Sequence, residues 1–355
     1  MKRYNPGHYL QSKSPGSSDP ADLAPAPGFT GVLVDIPWAA LEPARGAYDF
    51  SLLAKYLTWA SINDYQLIAM VFDRDFRGQP GAIVPRWLAD MGLTTPFNDA
   101  AGVIANIWTP AVTDLRIALL TAIAREFDDH PRLEAIALPE TGTGGITPGN
   151  TPSFTKEAYR DEIIRLVRAV APAMAQTQLW QSMNWLGPAN GAYLDAIAQV
   201  IEETGAGGIT NPDSVPWEAD SKPMYGTMRR FAGRVAVAAG GDTSQLGDPA
   251  NNPHYRTLDE LVAMQYAFGQ SLGANYQLWN AQFTSRAVGS GKWSADYRAA
   301  VARFLASAPA TVTTRPASLA TPEPEPAPRP VDRELLQALL TEAESWLARA
   351  RAVVG

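Results

Sequence analysis

The chain has 355 residues, of which 46% are hydrophobic and 18% charged, and this composition predicts a large buried core rather than disorder. Its formal net charge is −7 and it contains no dense run of lysine and arginine, so neither nucleic acid nor an anionic membrane is an expected partner. The lack of cysteine excludes disulfides and thiolate chemistry, and with only 3 histidines the expected chemistry is that of carboxylates, without metal or cofactor.

Short apolar runs alternate with longer segments of helical periodicity along most of the chain. Such alternation is typical of βα units and a parallel sheet, and eight units predict a closed (β/α)₈ barrel. The predicted strands span 7–11, 31–36, 66–72, 133–138, 178–183, 207–209, 235–239 and 275–278. The predicted helices span 52–62, 113–127, 156–171, 192–203, 224–231, 257–272 and 294–306.

The second predicted strand is followed by the most specific motif of the sequence. Residues 35–50 contain the pattern W-x-x-L-E-P-x-x-G-x-Y-D-F, which runs from Trp38 through Glu42 and Gly46 to Phe50. This pattern resembles the second βα unit of clan A glycoside hydrolases, the group that contains many β-galactosidases, xylanases and cellulases. The resemblance implies a turn in which Gly46 reverses the chain, and a structural role for Glu42.

The third predicted strand ends near Asp73, and a long irregular stretch follows it. Residues 77–110 include P-x-W-L at 85–88, which is similar to a loop that follows strand 3 of the same family. A long loop at the mouth of a barrel is often functional. Asp35 and Asp73 end the second and third strands, where they are expected to bind sugar hydroxyls or to form ion pairs, with Arg74 close by.

The resemblance places the general acid/base at the end of the fourth strand. Here the turn Asp129-His130-Pro131 precedes that strand and Glu140 follows it. A glycosidic oxygen leaves poorly unless it is protonated, and a carboxylic acid in a partly apolar pocket can supply that proton. Glu140 is therefore the predicted general acid/base. Pro139 stands where the family has an asparagine that contacts the sugar, so one substrate contact is missing.

The second catalytic carboxylate departs most from the family pattern. The family's nucleophile is a glutamate at the end of the seventh strand, and the carboxylate near that position is Asp242, in a Gly-Gly-Asp-Thr sequence. Asp213, after the sixth predicted strand, is the other candidate, although its Asn-Pro-Asp-Ser context is also typical of a turn. The expected enzyme is therefore a glycosidase with an incomplete catalytic pattern.

Aromatic and amide side chains near the strand ends complete the predicted sugar site. Indole rings stack on the apolar C–H faces of sugars, and a tryptophan at the end of strand 8 belongs to the innermost subsite of the family. For the tryptophans, filling of the core is the alternative role. The predicted ligand-binding residues besides the carboxylates are Trp38, Trp180, Asn184, Trp279 and Gln282.

After residue 308 the composition changes abruptly to threonine, proline, glutamate and alanine. We expect a barrel of residues 1–308, an extended proline-rich tether of residues 309–331 and a helix of residues 332–355. The helix should bind a second copy or a partner protein, with folding back onto the barrel as the alternative. Heptad spacing relates its apolar residues Leu336, Leu339, Ala343, Trp346, Ala350 and Val353.

Two functions fit these features. The first is a glycosidase that acts on a polysaccharide or a cell-surface glycan. The second is a catalytically inactive barrel that binds glycan or serves as a structural part of a larger assembly, such as a phage virion. Residues 1–18 lack the apolar stretch of a secretory signal, which leaves the cytoplasm or, within a virion, the outside of a cell as the expected location.

Overall fold

The apolar runs of the sequence form strands in the computed structural model, which describes residues 1–12, 27–76, 78, 80–97, 101–184, 186, 191–218, 221–241, 257–280, 292–307 and 310–319. The strands within these residues are β1 (Gly7–Ser12), β2 (Gly31–Pro37), β3 (Gln66–Phe72), β4 (Arg74–Asp75), β5 (Thr94–Phe97), β6 (Gly102–Ala105), β7 (Leu133–Leu138), β8 (Gln178–Ser182), β9 (Gly207–Ser214), β10 (Ala236–Gly241) and β11 (Tyr276–Asn280). Each predicted strand has its counterpart in this series. The largest difference is β9, which continues well beyond residue 209.

The helices of the described residues are α1 (Trp38–Leu41), α2 (Ser51–Ile62), α3 (Arg86–Asp90), α4 (Pro110–Phe127), α5 (Lys156–Val170), α6 (Gly191–Glu203), α7 (Pro223–Phe231), α8 (Leu258–Ser271) and α9 (Lys292–Leu305). Thr155 and Thr257 cap α5 and α8, because their hydroxyls accept the N–H of the residue three positions on. Pro110 begins α4, where a missing N–H costs nothing. The predicted helices correspond to α2 and α4 to α9.

Eight parallel strands close into a barrel in the order β1-β11-β10-β9-β8-β7-β3-β2. From β2 to β11, consecutive barrel strands are joined through helices that pack apolar stripes on the outside, as the alternation in the sequence predicts. The predicted (β/α)₈ barrel is therefore confirmed. None of the helices that the structure describes is long and apolar enough to cross a membrane.

The barrel interior is filled by alternate residues of its strands, since successive side chains of a strand point to opposite faces. Large rings occupy part of it: Trp180 and Tyr276 meet edge to face with ring centroids 4.7 Å apart. The buried interior cluster comprises Tyr9, Leu33, Ile68, Met70, Ala135, Ala137, Trp180, Ala236, Ala238, Tyr276, Leu278 and Leu319. The intervening strand residues face the helices.

A buried carboxylate closes the N-terminal end of the barrel. The register between β3 and β7 shifts at Glu134, so this residue is the extra one of a bulge that redirects its side chain. Its carboxylate accepts hydrogen bonds from the Tyr276 hydroxyl at 2.6 Å, from Asn5 Nδ2 at 2.7 Å and from Gln178 Nε2 at 3.1 Å. These bonds satisfy a charge that is fully removed from solvent.

Residues 310–319 pack against the same N-terminal face, although the sequence analysis assigned them to the tether. Asn275 Nδ2 donates to the Val312 carbonyl at 2.9 Å, and Ala317 N–H donates to the Gly233 carbonyl at 2.9 Å. Leu319 is buried at the base of the barrel. The barrel unit therefore runs past residue 308, because backbone hydrogen bonds hold a proline-containing segment that composition alone marks as extended. The rest of the predicted tether and helix, 320–355, lies outside the described residues.

The long stretch after β3 carries structure of its own. Its strands form a small antiparallel sheet in the order β4-β6-β5, and the short α3 lies between β4 and β5. Because β4 begins two residues after the carboxyl end of β3, this sheet stands at the mouth of the barrel. The predicted position of residues 77–110 at the mouth agrees with this arrangement.

Candidate functional site

The motif after β2 forms a hydrogen-bond network centred on Glu42. Glu42 is buried and accepts the indole N–H of Trp38 at 2.8 Å through one oxygen and the backbone N–H of Gly46 at 2.8 Å through the other. Gly46 has a φ of 72°, the left-handed conformation that reverses the chain. The Trp87 indole donates to the Glu42 carbonyl at 3.0 Å and meets Trp38 edge to face. These contacts explain why the pattern requires its Trp, Glu and Gly.

Trp38 is therefore occupied within the protein. Its side chain is 1% exposed and its single donor is used by Glu42, so it offers no face for a sugar. The sequence-based assignment of Trp38 to a ligand-binding role is corrected to a role in the core. The physical reason is that α1 begins at Trp38, where the ring packs against Trp87 of the P-x-W-L segment.

Glu140 and Asn184 meet at the carboxyl ends of β7 and β8. Glu140 follows β7, the fourth strand of the barrel in chain order, and its side chain is partly exposed. Asn184 Nδ2 donates a hydrogen bond to Glu140 Oε2. Asn184 is itself fixed by Thr141, whose hydroxyl donates to the Asn184 carbonyl at 2.8 Å and accepts its N–H at 2.8 Å. Two adjacent strand ends thus hold one carboxylate at the barrel mouth.

Gly142 packs closely against the Glu140 side chain. A Cβ at Gly142 would lie 3.3 Å from Glu140 Cδ and 3.3 Å from Glu140 Oε1, closer than most such contacts. The Gly142 carbonyl accepts a hydrogen bond from Arg74 Nη1 at 2.6 Å. The loop that carries Glu140 is therefore held from below by a guanidinium.

Arg74 belongs to a buried ion cluster behind the mouth. Its Nε lies 2.9 Å from Asp73 Oδ1, and Arg116 of α4 lies 3.2 Å from Asp73 Oδ2. Burial disfavours the charge of Arg74, but Asp73, Tyr159 and Glu140 outweigh it and raise the pKa of the guanidinium above its ordinary value. Asp73, predicted as a sugar ligand or an ion-pair partner, has the second role here.

The other predicted residues are distributed as follows. Asp35 is 7% exposed and pairs in register with the inward-facing Met70, so it faces the interior of the barrel. Trp180 also faces inward but is 1% exposed and donates to Gln178 Oε1 at 2.8 Å, below the mouth. Asp213 is partly buried within β9, so its Asn-Pro-Asp-Ser sequence is strand rather than turn. Asp242 and Gln282 lie outside the described residues.

Trp279 faces away from the mouth. Its ring belongs to a buried cluster with Leu261 of α8 and Tyr297 of α9, and its N–H donates to His8 Nδ1 at 3.1 Å. The inward-facing residues of β11 are Tyr276 and Leu278, so strand alternation directs residue 279 to the helix layer. The expectation that Trp279 contacts the ligand beside Glu140 is therefore corrected, and its role is in the core.

A cleft lies beyond Glu140 on the same loop. It has a volume of about 220 Å³ and separates the end of the small mouth sheet from the loop after β7. Its walls comprise Thr95, Pro96, Gly144, Gly145, Ile146, Asn150 and Thr151. Among the residues that the structure describes, no group of three or more His, Asp or Glu side chains could hold a metal ion.

Sequence reasoning missed the residues that support Glu140. These residues are Thr141, Tyr159 and Arg116. Their contacts are with Asn184, Glu140 and Asp73, which lie 43, 19 and 43 positions away, and nothing in their local sequence marks them. Tyr159 donates to the Glu140 carbonyl at 3.4 Å. Burial raises the pKa of the Tyr159 hydroxyl, so it stays a donor at neutral pH.

Comparison with known proteins agrees with this geometry at the level of the fold. No protein-family model and no curated protein matches the sequence. Among solved structures, the catalytic domain of β-amylase from Paenibacillus polymyxa has 9% identity and a TM-score of 0.54, over 84% of this chain and 98% of that chain. GH5_18 from Streptomyces cattleya, in complex with Manb1-4GlcNAc, has 13% identity and a TM-score of 0.53, over 86% and 83%.

A third structure is similar in extent. Endo-glycoceramidase II from Rhodococcus sp., as a lactosyl-enzyme intermediate, has 16% identity and a TM-score of 0.50, over 78% of this chain and 73% of that chain. At these identities the likeness concerns the fold. The chain has a (β/α)₈ barrel fold like those of the glycoside hydrolases among these structures.

Proposed function

We propose that this protein is a glycosidase that acts on a polysaccharide or a cell-surface glycan, with Glu140 as general acid/base. The observation that carries the proposal is the partly exposed Glu140 carboxylate at the end of the fourth barrel strand, paired with Asn184. In a (β/α)₈ barrel this is the face where catalysis occurs. The neighbouring structures include proteins named as acting on or bound to carbohydrate, which supports a carbohydrate ligand here.

The roles of the surrounding groups follow from their chemistry. A proton donor must stay at a fixed position relative to the glycosidic oxygen, and the Asn184 amide restricts the Glu140 carboxylate to one orientation. Asp35 faces the same interior and stays a proposed contact to a sugar hydroxyl. Asp242 remains the proposed second carboxylate and Gln282 a proposed ligand contact, on sequence grounds. The cleft beside Thr95 and Asn150 would accommodate further units of a polymer.

A glycan-binding barrel without catalysis is the second candidate. Pro139 occupies the place of the family's sugar-contacting asparagine, and both oxygens of Asp73 face arginines. In such a protein the mouth would still hold a sugar, but no second carboxylate would complete the reaction. The two candidates differ in one observable, the release of new reducing ends.

The experiment compares wild type with Glu140→Gln on a panel of polysaccharides, with binding and reducing-end release measured on the same samples. Glu126→Gln is the control, because it makes the same change of charge on an exposed position of α4. Hydrolysis by wild type and by Glu126→Gln but not by Glu140→Gln, with binding retained, supports the enzyme. Binding without hydrolysis by wild type or either variant supports the binding protein. Binding of no glycan overturns both.

A further inference from the structure

Three polar side chains interrupt the interior of the barrel near its carboxyl end. Gln11 follows the inward-facing Tyr9 by two positions, and Ser182 follows the inward-facing Trp180 in the same way. Thr210 pairs in register with Ser182 on the neighbouring strand. Alternate residues of a strand and register partners share a face of the sheet, so all three side chains point towards the barrel axis.

These three side chains are buried, with exposed fractions of 2% for Gln11, 1% for Ser182 and 0% for Thr210. Within the described residues, Gln11 Oε1, Ser182 Oγ and Thr210 Oγ1 have no hydrogen-bond partner. A buried polar atom without a partner destabilises the fold, so three of them facing one interior call for a physical reason. A ligand that supplies hydroxyl groups provides one.

The neighbouring strands leave room for such a ligand. Large branched side chains usually fill the interior of a (β/α)₈ barrel. On β7 and β10 the inward-facing residues are instead alanines: Ala135, Ala137, Ala236 and Ala238. The rings of Tyr9, Trp180 and Tyr276 pack together lower in the barrel. In register Ala137 lies beside Trp180 and Ala238 beside Tyr276, so these alanines make space for the rings. Nearer the carboxyl end, β10 presents Gly240, two positions after Ala238, and so no side chain beside the polar atoms.

The three residues also lie on opposite walls. Ser182 and Thr210 belong to the adjacent strands β8 and β9, and Gln11 belongs to β1, which stands across the closed barrel from β8. A sugar ring carries hydroxyls around its rim and apolar C–H groups on its faces. We propose that Gln11, Ser182 and Thr210 form a hydroxyl-binding floor that receives the terminal sugar ring of a glycan end-on. This inference deepens the proposed function and rests on it.

The test uses methyl glycosides of glucose, galactose, mannose, xylose and N-acetylglucosamine as probes, with calorimetric binding and thermal unfolding measured on the full chain. Thr210→Val and Ser182→Ala each remove one floor hydroxyl. We expect each to weaken binding of the preferred glycoside by about two- to tenfold, the usual value of one hydrogen bond. The melting temperature of each ligand-free variant should be unchanged or higher, because an unpartnered polar atom has been removed.

The control is Thr177→Val, the same substitution at a buried hydroxyl that has protein partners. Thr177 Oγ1 accepts from Arg3 Nη1 at 3.2 Å and donates to the Asp128 carbonyl at 3.3 Å, at the other end of the barrel. This variant should melt at a lower temperature and bind the glycoside as wild type does. It shows that the two readouts separate a structural hydroxyl from a ligand-binding one.

Each remaining outcome is decisive. Wild-type affinity in both floor variants, or a lower melting temperature of the ligand-free variants, overturns the hydroxyl-binding floor, and the second result assigns the hydroxyls to internal hydrogen bonds or buried water. Polysaccharide binding without binding of any methyl glycoside overturns the end-on mode but leaves the proposed function intact. Binding of neither class of glycan by wild type overturns both proposals.

Discussion

Asn184 donates a hydrogen bond from its side-chain amide to the carboxylate of Glu140, across the gap between the ends of β7 and β8. The two residues are far apart in sequence, and they meet because the carboxyl ends of the parallel strands lie at the same end of the barrel. An amide donor stabilises a carboxylate in a single orientation. In the proposed enzyme this makes Asn184 a positioning residue for the acid.

Replacing Asn184 by alanine should reduce turnover by about tenfold, since one hydrogen bond to the acid is lost. The loss should fall on kcat rather than on KM, because the amide orients Glu140 rather than binding the glycan. Asn63→Ala is the matched control: Asn63 Nδ2 donates to the Trp59 carbonyl at 2.8 Å at the end of α2, away from the mouth. Steady-state kinetics of both variants measure the difference. An equal effect of the two substitutions would contradict the positioning role.

The buried ion cluster should dominate the stability of the mouth. Asp73→Asn removes the carboxylate that faces both Arg74 and Arg116, and a buried charge without its partner costs about 3–5 kcal/mol. Asp259→Asn breaks the exposed pair with Arg303 and should cost less than about 1 kcal/mol. Urea unfolding of the two variants gives both values. Similar free energies of unfolding for the two would show that the cluster is not a buried charge network.

His8 should make the stability of the barrel depend on pH. Burial lowers the pKa of His8 to about 4 in the folded protein, against 6.5 for an ordinary histidine. Between these values the unfolded chain takes up a proton that the folded one refuses, so this part of the stability is complete above pH 6.5 and is lost as the pH falls towards about 4. The Trp279 N–H donates to His8 Nδ1, so a proton on Nδ1 would place one N–H donor against the other.

The measurement is the difference in free energy of unfolding between wild type and His8→Gln from pH 4 to pH 7. Glutamine keeps an acceptor for Trp279 but does not titrate. As the pH falls from 7 to 4, wild type should lose up to about 3 kcal/mol of unfolding free energy relative to His8→Gln, at 1.36 kcal/mol per unit of pKa. A difference that stays constant with pH would exclude His8 as the cause.

The C-terminal helix of residues 332–355 stays a prediction of the sequence. If it binds a second copy or a partner protein, truncation after Ala320 should change the mass in solution or release a bound partner. The melting temperature of the barrel should not change, because Leu319, the last described residue, remains in place. Light scattering and thermal unfolding test this together. A monomeric full-length chain whose barrel melts lower after truncation would show that the helix is part of the fold.

Much of the fold is predictable because strand and helix periods are local properties of the sequence. The eight apolar runs and the motif at Trp38, Glu42 and Gly46 are sufficient to predict a barrel and its mouth. The barrel extends past the predicted boundary at residue 308. Composition predicts only the local conformation of residues 310–319, whereas their hydrogen bonds with Asn275 and Gly233 join them to residues distant in sequence. The β4-β6-β5 sheet was missed because strands of two to four residues leave no periodic signal.

The candidate site was predicted only in part, for a different reason. Glu140 follows from the position of its strand, but the direction of Trp279 depends on which residues of β11 face inward, and that parity is fixed by the closed barrel. Polar residues spaced by two from inward rings, as in Tyr9-x-Gln11 and Trp180-x-Ser182, are the sequence pattern behind the proposed hydroxyl-binding floor. Contacts such as Arg74 to Gly142 join loops that no local pattern relates.

The most direct test of the central claim varies the leaving group. A general acid matters for a poor leaving group such as a sugar hydroxyl and matters little for dinitrophenolate, which departs without a proton. We predict that Glu140→Gln lowers hydrolysis of the preferred polysaccharide by about 10²-fold or more, while the first-turnover release of dinitrophenolate from the matching aryl glycoside stays near the wild-type rate. An equal loss on both substrates, or no loss on the polysaccharide, would contradict the assignment of Glu140 as the acid.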